Sequence, residues 1–203
     1  MRVGTKQTRH SGRPRKFDEA TALGAMQRQI WTTGLSGVSL DGIARSAGLN
    51  RPSLAAAFGD KDAIYAKAAA QYAAMMDERV SEALSHHDLG SALRAAFDAA
   101  IDIYTAGGPD GCFVICTAPA EALANPICRS ILDQSLGSID AAFFTRLQLD
   151  ERRVSTNPDE LPLVAVLLGA TLHSLALRAR AGWSRERLRS LAAGAIRQVI
   201  GGI

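Results

Sequence analysis

The chain has 203 residues, of which 47% are hydrophobic, 5% aromatic and 21% charged, with a formal net charge of +3. That length and apolar content allow one large domain or two small ones with a substantial core. Abundant alanine and the near absence of alternating β-branched runs exclude a β-rich fold and predict an all-α one.

Charge is unevenly placed. Residues 1–61 hold ten of the 23 Lys and Arg but only four of the 20 acids. Positive charge gathered at one end is the footprint of a phosphate-binding surface. Met1–Lys16 contains six of those cations and no acid, with Gly4, Gly12 and Pro14. It is expected to be a flexible basic arm, placing Arg13, Arg15 and Lys16 on phosphates or in a minor groove.

Asp18–Thr33 follows as a helix, with Ala22, Leu23, Ala25, Met26, Ile30 and Trp31 on one side and Gly34 at its end. Ser39–Phe58, SLDGIARSAGLNRPSLAAAF, then reads as two short helices about a tight turn. Ser39 caps the first, and Asp41 sits where the helix dipole favours a negative charge. Leu40, Ile43, Ala44 and Ala47 form its apolar stripe, and Gly48 suits a left-handed end. Asn50 caps the second helix, and Pro52 lies in the first turn, where its missing N–H is not needed. Leu54, Ala57 and Phe58 pack that helix inward and leave Arg51, Ser53, Ala55 and Ala56 outward. This is a helix-turn-helix pattern with small and basic groups on the reading face, although an ordinary helical hairpin has the same periodicity.

Asp60 caps a long helix over Lys61–Leu84, with Lys61 at an N-terminus suited to a phosphate. His86-His87-Asp88 reads as a loop without metal-site spacing. Leu89–Ala106 is the next helix, ended by Gly107-Gly108-Pro109. Asp110–Ala124, interrupted by Pro119, reads as one or two short buried helical pieces. Asn125-Pro126 opens a helix to about Gln148 with Ile127, Ile131, Leu132, Leu136, Ile139, Phe143 and Leu147 inward. Leu149–Asp159 is a charged loop. Glu160–Arg180 is apolar on nearly every side and must be covered on nearly every side. Its apolar run, Leu161–Leu177, is short for a membrane span and contains Pro162, Thr171, His173 and Ser174. Gly182 ends it, and Ser184 caps a last helix with an unbroken stripe from Leu188 to Ile200.

These two terminal helices either close the core or build a dimer. The candidate interface is Leu168, Leu172 and Leu175 on the first, with Leu188, Leu191, Ala195, Ile196 and Val199 on the second. A symmetric dimer sets two reading helices one duplex turn apart.

The residues Gly12-Arg13-Pro14-Arg15, Trp31, Gly34, Ser39-Leu40-Asp41, Ile43-Ala44, Ala47-Gly48, Pro52-Ser53-Leu54, Phe58-Gly59-Asp60-Lys61-Asp62 and Tyr65 resemble the TetR family of bacterial transcriptional regulators. The likeness covers about the first 65 residues. It implies an all-helical homodimer in which a helix-turn-helix head is joined to a larger ligand-binding and dimerisation domain, with about nine helices in all. The divisions are an arm over residues 1–16, a head over 17–61 and a body over 62–203. By position, the resemblance implies that Ser39 bonds a phosphate, that Asn50, Arg51, Pro52, Ser53 and Ala55 lie at the DNA, and that Lys61 touches its backbone. Ala55 stands where the family often has a tyrosine, and Gly42 where it often has an acid, which leaves the capping box incomplete.

The expected function is a cytoplasmic, ligand-responsive regulator, a repressor that leaves a palindromic double-stranded operator when a small, mostly apolar effector binds. Candidate cavity residues are Met75, Met76, Phe97, Tyr104, Phe113, Phe143 and His173. Two alternatives stay open: redox sensing through Cys112, Cys116 and Cys128, and a helical interaction module that does not bind DNA. No phosphate loop, GxSxG, HExxH or Cys/His tetrad is present, so neither catalytic residues, nor a metal, nor a cofactor, nor a membrane partner is expected. Odd cysteines and an N-terminus without a signal's apolar stretch fit a reducing cytoplasm.

Overall fold

The computed structural model describes residues 18–150 and 158–201. Among these residues there are nine α-helices and no strand. They are α1 (Glu19–Thr33), α2 (Leu40–Ser46), α3 (Arg51–Phe58), α4 (Lys61–Leu84), α5 (Leu89–Tyr104), α6 (Phe113–Glu121), α7 (Pro126–Gln148), α8 (Leu161–Arg180) and α9 (Arg185–Gly201), with a 3-10 turn at Pro158–Glu160 before α8.

Most helix starts are set by one polar side chain that accepts a backbone N–H the helix cannot pair. Asp18 accepts from Thr21, Ser39 from Gly42, Asn50 from Ser53, Asp60 from Ala63 and Asp88 from Ser91, all at 2.8–3.1 Å. Asn125 caps α7 by accepting from Ile127 and Cys128. Gly48 has φ +65°, so the turn between α2 and α3 uses the left-handed conformation that glycine adopts freely.

Helices α1–α3 form a small head around Met26, Ile30, Leu35, Ile43, Leu54 and Phe58, all buried. Helix α4 leaves this head as a rod about 36 Å long. It packs on α5 and α7 in the body, burying Tyr65, Ala68, Ala69, Tyr72, Met76 and Val80 at helical spacing. The rings of Trp31, Tyr65, Tyr72 and Phe113 meet at 5.3–6.0 Å where α1, α4 and the start of α6 converge. Phe97 stacks on Phe143 at 5.7 Å and joins α5 to α7.

Two glycines permit close helix approach. Gly111 has φ +91°, and a Cβ there would lie 2.6 Å from the Ala176 carbonyl and 2.7 Å from the Cys116 sulfur. A Cβ at Gly169 of α8 would lie 2.1 Å from the Asp140 carboxylate on α7.

Three sequence expectations change. Helix α5 stops at Tyr104 rather than Ala106. In α7, Ile139, Phe143 and Leu147 are buried, but Ile127 and Leu136 are exposed, because α7 touches α4, α6 and α8 on only part of its circumference. The candidate interface also moves. Leu168, Leu172, Leu175, Leu188 and Ile196 are buried in the core of the single chain, so a partner cannot reach them in this arrangement. Leu191 and Ala195 are half-buried, and the Val199 side chain lies outside the described residues. The apolar side chains left in the open on α8 are Leu163 (61% exposed), Val166 (46%), Leu167 (53%) and Leu177 (53%). They share one face with exposed Ala170. By length and composition α8 could cross a membrane; here it packs against α5, α6, α7 and α9.

Candidate nucleic-acid interface and ligand cavity

Helix α3 is anchored by buried Leu54 and Phe58, about one helical turn apart. Those two contacts fix which side faces out. Arg51, Pro52, Ser53, Ala55 and Ala56 are all exposed. Arg51 Nη1 lies 3.8 Å from the Asp41 carboxylate in the first turn of α2. Both side chains are largely solvated, so this pair is worth little to the fold. The Asn50 side chain is occupied as the cap of α3. The Ser39 hydroxyl accepts from Gly42 and keeps its own proton to give. Lys61 Nζ donates to the Val38 carbonyl at 3.2 Å, tying the first residue of α4 to the loop before α2. Arg13, Arg15 and Lys16 lie outside the described residues. Two cations beside this surface were not singled out from sequence. Arg45 is exposed at the end of α2, and Lys67 Nζ donates to the Ala57 carbonyl and sits 5.4 Å from the Phe58 ring.

The head, and the first turns of α4 that lead out of it, are tied to α6–α8 at several points. Glu121, at the end of α6, accepts from the Ser36 N–H and hydroxyl at 2.9 and 2.6 Å. Asn125 donates to Asp62 at 2.9 Å. Arg180 of α8 donates to the Trp31 carbonyl. Tyr65 bonds to Thr117 at 2.9 Å, and the Thr117 hydroxyl donates to the Phe113 carbonyl at 2.7 Å.

In the body, α4, α5, α7, α8 and the start of α6 enclose a cavity of about 340 Å³. Ala66, Ala69, Ala70 and Ala73 make the room on the α4 side. Of the residues named from sequence, Tyr104, Met76 and His173 line it. Phe97, Phe113 and Phe143 do not; they are held in the ring contacts described above. Met75 faces a different, more open groove with Trp31, Arg79 and Ile103, because consecutive helical residues point about 100° apart. Tyr72 and Cys112 line the cavity and were missed as lining residues. The signal for Tyr72 was its spacing on α4, one turn before Met76.

The polar groups of this cavity are unusual. The Tyr104 and Tyr72 hydroxyls and both ring nitrogens of His173 are buried without a hydrogen-bond partner. The Tyr72 hydroxyl faces the Cys112 thiol and the Phe113 backbone, but in no well-formed bond. Burial holds both phenols protonated, with pKa values well above the ordinary one. It lowers the His173 pKa to about 4, so the imidazole is neutral. Burial also pushes the Cys112 thiol up to about 11. Cys128 rises to about 11, with the Asp62 and Glu121 carboxylates adding to burial, and Cys116 rises despite nearby Arg180. Protonated thiols are poor nucleophiles.

Residues 23–68, from α1 into the first turns of α4, match the family model of bacterial regulatory proteins of the tetR family. The HTH-type transcriptional repressor BdcR of Escherichia coli strain K12 is 27% identical over 193 residues, 94% of this chain and 93% of that protein. Over its helix-turn-helix segment the chain is similar to the TetR family, and over most of its length it is similar to a repressor of that type. Among solved TetR-family structures, a cysteine mutant of CifR complexed with 26-base-pair double-strand operator DNA superposes with a TM-score of 0.80 at 25% identity, over 91% of this chain and 98% of CifR. SCO4454 of Streptomyces coelicolor shares the fold, with a TM-score of 0.77 at 18% identity over 91% and 94% of the two chains. These relatives are regulators rather than enzymes. Among the described residues no three His, Cys, Asp or Glu side chains gather as a metal site would require.

Proposed function

We propose that this chain is a cytoplasmic, dimeric repressor of the TetR type. It grips a palindromic operator with two copies of α3 and lets go when a small, mostly apolar molecule enters the body cavity. The observation that carries the reading is the outward face of α3: Arg51, Pro52, Ser53 and Ala55 are exposed on a helix held from behind by Leu54 and Phe58. In this reading the head comprises residues 17–61 and the body residues 62–203. The arm over residues 1–16 adds Arg13, Arg15 and Lys16 to the DNA, and Ser39, Asn50, Arg45 and Lys61 flank α3 at the phosphates.

A second copy of the chain covers Leu163, Val166, Leu167 and Leu177, an apolar face too continuous to leave in water. Leu191 and Ala195 lie at its edge on α9. The raised thiol pKa values weigh against redox sensing as the trigger.

The test is selection of random duplexes by the purified protein at moderate salt. The expected result is a palindrome with half-sites about one helical turn apart. No enrichment by a folded, ligand-stripped dimer would overturn the operator reading.

A further inference from the structure

We propose that the body cavity takes an uncharged, compact molecule with an apolar skeleton and one carbonyl or hydroxyl oxygen, held by the unpartnered polar atoms that Tyr72, Tyr104 and His173 bring to its wall. This rests on the reading that the cavity is the effector site.

Three side chains from three different helices, α4, α5 and α8, bring unpartnered polar atoms to one space. Each buried, unsatisfied group costs about 1–3 kcal/mol. Such groups are uncommon in folded proteins and ask for a partner that is absent from the chain itself. The two phenols offer protons, and a neutral imidazole offers one proton and one lone pair. A ligand oxygen accepts from these donors, and a ligand hydroxyl also satisfies the accepting ring nitrogen.

Charge narrows the class further. No Lys or Arg lines the cavity. A carboxylate or phosphate inside would be stripped of water with no cation to meet it. The acid in the lining is Asp77, which is exposed and already accepts from the Ser138 hydroxyl at 2.8 Å. A cation would find one carboxylate, on the solvent-exposed Asp77, and would lose its water beside the buried neutral groups. Size sets the last limit. At about 30 Å³ per water in the liquid, the cavity holds roughly a dozen non-hydrogen atoms.

Calorimetry on the full-length protein with five probes built on one skeleton tests this: indane, indanone, indanol, aminoindane and indane carboxylate. Indanone or indanol is expected to bind about tenfold more tightly than each of the other three, the worth of one good hydrogen bond. Tyr104→Phe keeps the ring and is expected to reduce that preference while leaving indane binding unchanged. Ala73→Leu, which fills the cavity, is expected to weaken all five. A charged probe binding best, no probe binding, or a preference undiminished by Tyr104→Phe would each overturn the proposal. A parallel titration of the selected operator complex separates the two readings. Oxygen-dependent binding that leaves the operator bound keeps the ligand class and sinks the effector reading. Release by a charged probe keeps the effector reading and sinks the class.

Discussion

Glu121 grips Ser36 twice, accepting its backbone N–H at 2.9 Å and its hydroxyl at 2.6 Å across 85 residues of sequence. Ser36 lies in the loop between α1 and α2. Glu121 ends α6, whose first turn puts Cys112 and Val114 on the cavity wall. A nine-residue helix, about 13 Å long, therefore touches the cavity at one end and the helix-turn-helix head at the other. Glu121→Gln removes the charge and one accepting oxygen. The fold is expected to survive, with a loss of about 1 kcal/mol or less because the contact is solvated. Hydrogen exchange at the Ser36 amide is expected to accelerate. Unchanged exchange there would mean that the contact is not populated in solution.

Operator binding separates two roles on the reading surface. Arg51 contributes to the fold only an exposed ion pair at 3.8 Å, so Arg51→Ala is expected to leave stability unchanged. Its operator affinity should fall by about 1–3 kcal/mol if it reads a base. Ser39→Ala also removes the cap on α2, which costs about 1 kcal/mol of stability. Anisotropy titrations at several salt concentrations check both. A uniform loss across sequences with a shallower salt slope marks a phosphate contact, and a relaxed preference at one base pair marks a base contact. Parent-like binding by both variants would remove α3 as the reading helix.

Local chemistry made much of this legible in the sequence. Ser39, Asn50, Asp60, Asp88 and Asn125 act on N–H groups two or three residues away, so their caps could be read without knowing the tertiary fold. The outward face of α3 was legible too, because a helix of eight residues with Leu54 and Phe58 inward has one way to face. What stayed hidden was direction on helices apolar all round. Periodicity cannot distinguish Leu167 from Leu168 when both neighbours are leucine and every side of α8 is hydrophobic. Large apolar side chains in the sequence point to Phe97 and Phe143 as cavity lining, but these two rings stack on each other. The cavity depends instead on the alanines of α4, whose small side chains carry no signal of what they leave empty.

The two leucines provide a direct comparison on the proposed dimer face. Leu167 is half-exposed and Leu168 fully buried in the same turn of α8. Leu167→Glu is expected to give a folded monomer, because the charge sits where a second copy would press. Leu168→Glu buries a carboxylate in the core and is expected to cost more than about 4 kcal/mol, enough to unfold the chain. Sedimentation together with circular dichroism distinguishes these outcomes. A stable dimer from Leu167→Glu would move the interface off this face of α8.

His173 gives the protein a pH dependence of predictable sign. Burial lowers its folded pKa to about 4, while the ordinary value is 6.5. Between these values the unfolded chain binds a proton that the folded chain refuses. Stability is therefore fully present above pH 6.5, falls with pH, and is spent near pH 4. From pH 7 to pH 5 this one group accounts for a loss of about 2 kcal/mol. Asp77, Tyr72, Tyr104 and Cys112 share its cavity, and all four remain in a His173→Phe variant. Denaturant midpoints of parent and variant at the two pH values isolate the imidazole. The parent is expected to lose about 2 kcal/mol more than the variant. Parallel losses would mean that His173 keeps its ordinary pKa, with water or a counter-charge reaching the ring.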